Sequence, residues 1–256
     1  VGDQAEAMSM MQQYKADLHI HTALSPCADL SMSPATIVKT AKERGVSLIG
    51  IADHNSTLNA LVVKRLAAKE GISVLTGAEV TTSEEVHCLA FFEREQQLLD
   101  FQQYLEEKIL RIANPDGQMG DQPVVDAEEN ILAMIPYWLP AALHTGISAI
   151  QRKVSALNGI FIPAHINRPA NGLFAQLGFL PPDLKFDALE FTSRTTAKAI
   201  RAAYHLGPEL TLISNSDAHF PDQIGANHTV FCMNDCSFAE IQKALRQQDG
   251  RWAHTQ

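Results

Sequence analysis

The feature that most constrains this chain is a repeated alternation of short apolar runs with helical stretches. KADLHI (15–20), VSLIGIA (46–52), ISVLTGAEV (72–80) and VHCLAFF (86–92) read as buried strands. Between them, residues 34–44 open on Ser33-Pro34, a capping serine with proline at the first helical position, and stop before Gly45. Residues 57–70 form a second helical stretch and stop before Gly71. The alternation resumes with GIFIPAH (159–165), FDALEF (186–191), ELTLIS (209–214) and HTVFC (228–232), and a last helix spans 237–247. Strand–helix–strand order predicts an α/β fold built on a parallel sheet or a barrel. Residues 93–157 interrupt it. A long polar helix from Glu93 to Ala113, a turn at Asn114-Pro115-Asp116-Gly117 and more helix over 124–135 and 140–157 read as a helical insertion. A lid, an oligomer contact or a plain structural role would each suit it. The expected organisation is a disordered leader over 1–14, a barrel domain from 15–92 and 158–256, and the insertion between.

At 256 residues and 46% hydrophobic content, the chain can bury one large core. No apolar run reaches the roughly 18 residues of a membrane span, so no membrane partner is expected. VGDQAEAMSMMQQY has neither the basic start nor the apolar centre of a signal peptide. Four cysteines in a chain this long do not make a disulfide framework, and a reducing, cytoplasmic setting is expected. The net charge of −9 argues against a nucleic-acid partner, since such proteins gain affinity by setting Lys and Arg against phosphates. Small anionic substrates remain open, because bound cations reverse the local potential of an acidic protein.

The chemistry gathers at strand ends. Six of the ten histidines lie there, with carboxylates beside them. Asp17, His19 and His21 occupy alternate positions, which a regular strand turns to one face. Asp53-His54-Asn55 follow the second strand, Glu79 ends the third, His87 opens the fourth, His165 ends the next, and Asp217 and His219 follow ELTLISNS. In a barrel the C-terminal strand ends meet on one face, so ligands far apart in sequence can form one site. His87 fits this least well, since it begins its strand. Taken singly, each piece has an ordinary reading: a polar core pair, a turn residue, a helix-terminal charge. Together, six buried histidines with carboxylates would be costly without cations. His144, His205 and His228 are read as structural or exposed, and Cys232 and Cys236 lack the spacing of a zinc knuckle.

DLHIHT (17–22), IADHN (51–55), TGAEV (76–80), AHINRP (164–169) and SNSDAHF (214–220) resemble, in order and spacing, the motifs of the PHP (polymerase and histidinol phosphatase) family of metal-dependent phosphoesterases. The resemblance implies a distorted (β/α)7 TIM-like barrel and two or three divalent cations, Zn, Mn or Fe. It implies one cation on His19, His21, Glu79 and Asp217, and a second on Glu79, His87 and His165. A third would rest on His54, His219 and a residue of the loop TALSPCADLSMSP. Alignment on the Ser33-Pro34 helix start favours Asp29 there, with Cys27 as the soft alternative. Asp17 and Asp53 are expected to orient ligand histidines. The implied activity is hydrolysis of a small phosphomonoester or short nucleotide by a hydroxide bridging two cations, with Asp217 and Arg168 catalytic and Arg168 and Arg194 binding the phosphate. A nuclease or 3′–5′ exonuclease-type phosphodiesterase and a catalytically silent metal-binding module are the alternatives. An amidohydrolase would also place HxH on its first strand, but no strand end here supplies its usual lysine ligand.

Overall fold

The computed structural model describes residues 11–192 and 194–255. The part of the expected leader before Met11 lies outside the described residues. Gln12–Tyr14, by contrast, belong to the first strand, paired with Phe231–Met233. The main sheet has seven strands: β1 (Gln12–Ile20), β2 (Leu48–Ile51), β3 (Ser73–Thr81), β4 (His87–Phe92), β7 (Ile160–Pro163), β10 (Thr229–Met233) and β11 (Trp252–Thr255). Their spatial order is β11-β10-β1-β2-β3-β4-β7. A separate parallel pair, β8 (Leu189–Glu190) and β9 (Leu212–Ile213), stands between the two ends of the curl. Hydrogen bonds from Asp187 N to Phe161 O and from Ala218 N to His19 O link this pair to β7 and β1.

The result is an α/β fold with a curled sheet that partly closes. The parallel pairing expected from the alternation holds for β1–β2–β3, while β3–β4, β4–β7 and β1–β10 are antiparallel, so the sheet is not a regular (β/α)7 barrel. The physical reason is the short connection between β3 and β4, long enough for a hairpin and too short for a crossover helix. Gly77 on β3 lets the two strands close, because a Cβ there would lie 1.8 Å from Ala90 O.

Helices cover the outer face. α1 (Pro34–Glu43) starts as expected, with the Thr36 N–H donating to Ser33 Oγ at 3.3 Å. α2 (Ala60–Lys69) buries Val63 and Ala67 against β3. α3 (Glu95–Lys108) and α4 (Ile147–Ala156) pack on β4 and β7. α5 (Leu173–Leu177), α6 (Ala197–Tyr204) and α7 (Phe238–Leu245) follow. Inside the curl, Leu18, Leu48, Leu75, Leu89, Phe91, Ile160, Ile162 and Phe231 form a closed apolar floor.

The segment 93–157 is not wholly helical. α3 ends at Lys108 rather than Ala113, and residues expected as helix over 124–135 form a hairpin, β5 (Pro123–Val125) and β6 (Ile131–Met134). Asp126 decides this. Its Oδ1 accepts the N–H groups of Glu128 and Asn130, at 3.0 and 2.8 Å, offering the backbone a turn in place of helical bonds. Asn55 and Asn59 tie the segment to the rim: Asn55 Nδ2 donates to Leu139 O and Ala141 O, and Asn59 Nδ2 to Pro123 O. Among the described residues no helix is long and apolar enough to cross a membrane.

Candidate metal centre

Above the apolar floor, the side chains facing the curl become ligating ones. On β3, Glu79 lies two positions beyond Gly77 and four beyond Leu75, so it shares their face. His87 shares the face of Leu89 and Phe91 on β4. Its place at a strand start is explained by the antiparallel pairing with β3, where His87 stands opposite Thr81. The beginning of β4 therefore reaches the same rim as the ends of β1, β2, β3 and β7. On β1 the pairing with β2 slips between Asp17 and Ile20. Asp17 consequently turns away from His19 and His21, which point at Glu79. His165 and Asp217 follow β7 and β9 in left-handed backbone, at φ 29° and 51°. Such conformations are costly for residues with a Cβ and cluster at functional sites.

Glu79 is the hub. Its Oε1 lies 2.8 Å from His87 Nδ1, 2.9 Å from His165 Nε2 and 3.4 Å from His19 Nε2. Its Oε2 lies 3.1 Å from His54 Nδ1 and 3.5 Å from His21 Nε2. Asp217 Oδ1 adds contacts of 3.4 and 3.3 Å to His19 and His21 Nε2. The ring of His219 packs 4.3 Å from that of His21. Three groups bring ligand atoms close enough to hold an ion: His19–His21–Asp217, His54–Glu79–His87 and His21–His54–His219.

The hydrogen-bond network fixes the tautomers. His19 Nδ1 faces Glu190 Oε2 at 3.0 Å and donates to it. Ser25 Oγ donates to Asp53 Oδ1 at 2.7 Å, so it accepts from His21 Nδ1 at 3.0 Å. In the neutral rings both Nε2 atoms then carry bare lone pairs, and they face each other at 3.3 Å. Two lone pairs at that separation repel, and a cation between them turns the repulsion into ligation. His54 Nδ1 and His165 Nδ1 are buried without a well-formed hydrogen bond. The donor set therefore fits divalent cations.

On the protein's own charges alone, the titrating groups are strongly displaced. Burial disfavours ionised Glu79, but His87, His19 and His54 outweigh it and hold the carboxyl well below its usual range. Burial likewise opposes ionised Asp217, and His19 and His21 outweigh it in the same direction. Burial lowers His21 well below the ordinary imidazole value, reinforced by His219. These residues stand ready as a carboxylate and a neutral imidazole, the forms that bind metal.

Two expectations about supporting carboxylates change. Asp17 orients no histidine; its Oδ2 accepts from Ser216 Oγ at 2.6 Å and Gly225 N at 2.7 Å, holding the loop that carries Asp217. Asp53 acts on His21 only through Ser25, and otherwise accepts from Thr22. The carboxylate that holds His19 is Glu190, buried on β8, which also accepts from His165 N and Asn215 Nδ2 at 3.0 and 2.7 Å. Sequence reasoning missed it, although the polar Glu190 within the apolar run FDALEF was a signal.

Asp29 does not join the cluster. It is exposed, and its Oδ1 accepts from Ser31 N at 2.9 Å. Cys27 lies exposed on the cleft wall beside His219. Ser25 Oγ accepts from His54 N at 3.1 Å and Asp29 N donates to His219 O at 2.9 Å, which ties both ends of this loop to the cluster. His144, His205 and His228 stay apart from the site; His205 caps α6 in left-handed backbone.

The cluster opens into a cleft of about 940 Å³, lined by Cys27, Arg168, Arg194, Asp217, His219 and Phe220 among others. Arg168 NH1 pairs with Asp217 Oδ2 at 2.9 Å while remaining partly exposed. Arg194 is exposed on the cleft wall.

Residues 17–137 match the PHP domain and residues 195–249 match the PHP-associated region. The chain is 23% identical to the uncharacterised protein YqxK of Bacillus subtilis, over 94% of this chain and 64% of that protein. Its fold is similar to the lesion-specific endonuclease Q of Pyrococcus furiosus, with a TM-score of 0.71, 23% identity, 94% of this chain and 58% of that one covered. A structure of endonuclease Q with a 27-mer duplex carrying an abasic lesion at the active site gives a TM-score of 0.70 at 22% identity, over 94% of this chain and 58% of that one. The chain thus spans less than two thirds of the length of these relatives. The expectation that argued against a nucleic-acid partner does not hold, because a fold so similar is seen engaging duplex DNA. The net charge of −9 sums carboxylates over the whole surface, whereas the cleft presents Arg168, Arg194 and a cation-binding cluster.

Proposed function

Because the chain belongs to the PHP family of metal-dependent phosphoesterases, we propose that it is a metal-dependent phosphodiesterase that cleaves nucleic acid. The observation that carries this reading is the course of the cleft. It runs from the histidine cluster past two arginines and an exposed Phe220, with room for phosphate groups and bases beyond the reacting one. The similarity to endonuclease Q supports a diester over the small phosphomonoester expected from the sequence resemblance.

Cations held by His19, His21, Glu79 and Asp217, by Glu79, His87 and His165, and by His54 and His219 would activate water and neutralise phosphoryl charge. The chain's own residues position these events. Glu190 keeps the His19 proton on Nδ1, and Ser25, held by Asp53, does the same for His21. Arg168 offers its guanidinium to a phosphoryl oxygen on the cleft side of Asp217, exchanging part of its ion pair for the substrate. Arg194 holds the neighbouring phosphate of the strand. Phe220 supplies a face on which a base can stack.

The test is hydrolysis of single- and double-stranded oligonucleotides, with and without an abasic position, beside a chromogenic phosphomonoester, in Mn²⁺, in Zn²⁺ and with chelator. Cation-dependent oligonucleotide cleavage exceeding monoester hydrolysis is the expected outcome. Monoester turnover with intact oligonucleotides would return the reading to a small-molecule phosphatase.

A further inference from the structure

One cleft residue has half of its hydrogen-bonding capacity committed and half left open. Gln223 ends a short 3₁₀ turn, Pro221–Gln223, and lines the cleft in a part-exposed position. Its Oε1 accepts from His219 N at 2.8 Å and from Phe220 N at 3.2 Å. Both partners are donors, so only the carbonyl oxygen can face them, and the orientation of the amide is fixed. The NH2 group is left on the other side, with no hydrogen-bond partner among the described residues. The turn that carries it is firmly held. Gln223 N donates to Phe220 O at 3.0 Å, and Ala226 N donates to Gln223 O at 2.9 Å. Arg44 Nη1 donates to Ile224 O at 3.0 Å, and Gly225 N to Asp17 Oδ2 at 2.7 Å. Asp222 is exposed and does not line the cleft, so the turn presents an amide there and no carboxylate.

We propose that Gln223 Nε2 binds a phosphate oxygen next to the scissile linkage, on the nucleotide whose base stacks on Phe220. The inference rests on the nucleic-acid reading above and deepens it. The chemistry of the open half selects the ligand. A free glutamine amide reads adenine by accepting from one base atom and donating to another. Here the acceptor is committed to two backbone N–H groups, so the residue can only donate. Phosphate and sugar oxygens take roughly half to two-thirds of protein–DNA hydrogen bonds, and glutamine is among their donors. Phe220, whose own N–H is held by the same amide, is 46% exposed and also lines the cleft. A stacking face and a directional donor are thereby fixed to one another by a single hydrogen bond. A small phosphomonoester has no neighbouring linkage, so this contact favours a strand over it.

The test is a linkage scan. A single-stranded oligonucleotide is made as the plain diester and as a series with one uncharged methylphosphonate moved stepwise along it. KM and kcat are measured in Mn²⁺ for the wild-type chain, Gln223→Glu and Gln223→Met, with bound manganese and thermal unfolding in parallel. In Gln223→Glu both backbone N–H groups keep an acceptor, while an anion replaces the NH2. KM for the plain strand should rise about tenfold or more with bound manganese unchanged. A methylphosphonate at one linkage beside the cut should recover most of that loss, since the repulsion needs the phosphate charge. Gln223→Met, with neither donor nor charge, should show a raised KM without recovery. A folded Gln223→Glu chain with the wild-type KM, or a rise that no single neutral linkage relieves, would overturn the proposal. If Gln223→Glu does not fold, a wild-type KM in Gln223→Met overturns it and a raised one supports it. A wild-type chain that leaves every strand intact refutes the proposed function instead. The scan is then read from fluorescence anisotropy of the bound strand, where linkage-specific recovery upholds the Gln223 contact and its absence overturns it.

Discussion

Replacing Glu190 by glutamine is nearly isosteric, yet the structure predicts a disproportionate effect. The carboxylate accepts on both oxygens: Asn215 Nδ2 on Oε1 at 2.7 Å, His165 N on Oε2 at 3.0 Å, and His19 Nδ1 on Oε2 at 3.0 Å. A glutamine has one acceptor and places an NH2 group at the other position. With its oxygen towards His165 and His19, the NH2 meets Asn215 Nδ2. Asn215 cannot flip to accommodate it, because its Oδ1 accepts from Leu18 N at 2.9 Å. With the amide reversed, the NH2 meets the His165 N–H and the His19 Nδ1–H. Either way a buried donor is left unsatisfied, costing about 1–3 kcal/mol. The His19 tautomer also loses its anionic partner, and loss of such a partner weakens metal affinity by about 10–100-fold. The assay is cation content after dialysis against graded chelator, with thermal unfolding measured in parallel. A folded Glu190→Gln chain should release the cation on His19 at lower chelator concentration than wild type, while the cation on His54 and His219 is retained. Unchanged release curves in a folded variant would refute the argument that Glu190 sets the His19 tautomer.

Other perturbations follow from the same geometry. Glu79→Gln removes the anion shared by five imidazoles and should cut bound metal and hydrolysis by at least about 100-fold, read by metal analysis and initial rates. Arg168→Ala should slow diester cleavage about 10–100-fold with bound metal unchanged, since the guanidinium touches only one carboxylate oxygen of Asp217 and is proposed to meet the substrate phosphate; a parallel loss of metal would show that it acts through Asp217 instead. Gly77→Ala sets a Cβ 1.8 Å from Ala90 O in the β3–β4 pair and should destabilise the chain by about 3 kcal/mol or more, measured by urea unfolding. Burial raises Asp17 from 3.8 to about 6 despite its bonds from Ser216 and Gly225. The native state therefore holds this proton more tightly than the unfolded chain. Its stabilising contribution is complete below about pH 4 and lost as pH rises through about 6, some 3 kcal/mol in all. The difference in unfolding free energy between wild type and Asp17→Asn should fall by about that amount over this range, and a flat difference would show that Asp17 is ionised throughout.

Much of the candidate site could be read from sequence because its residues sit at the ends of strongly apolar runs. The strands carrying His19, Glu79 and His165 stand out by composition, and their chain directions bring those ends together. What escaped was non-local. The antiparallel turn of β4, which explains His87, is set by how short the β3–β4 connection is, and apolar periodicity carries no information on direction. Asp29 and Cys27 are two residues apart, and spacing alone could not show that the Asp29 carboxylate turns to Ser31 N at the surface. Asp17 looked aligned with the histidines until the register slip between it and Ile20 turned it aside. The hairpin at 123–134 was hidden because its glutamates, leucine and alanines are good helix formers, and only the side-chain bonds of Asp126 reverse that preference.

β1 supplies His19 and His21 and is paired along one edge with β10, while Asp17 and Leu18 are held by Ser216 and Asn215. Strand β1 thus waits for partners about 200 residues further along the chain before its own geometry is complete. Closing so long a loop is slow compared with forming the local β2–α2–β3 units. During synthesis, the chain would pass through a state with its histidines present but Asp217 and His219 still missing. On the proposed metal reading, the cations would gain their full ligand set only once the sheet has curled, and their binding would latch the final folding step rather than seed the first.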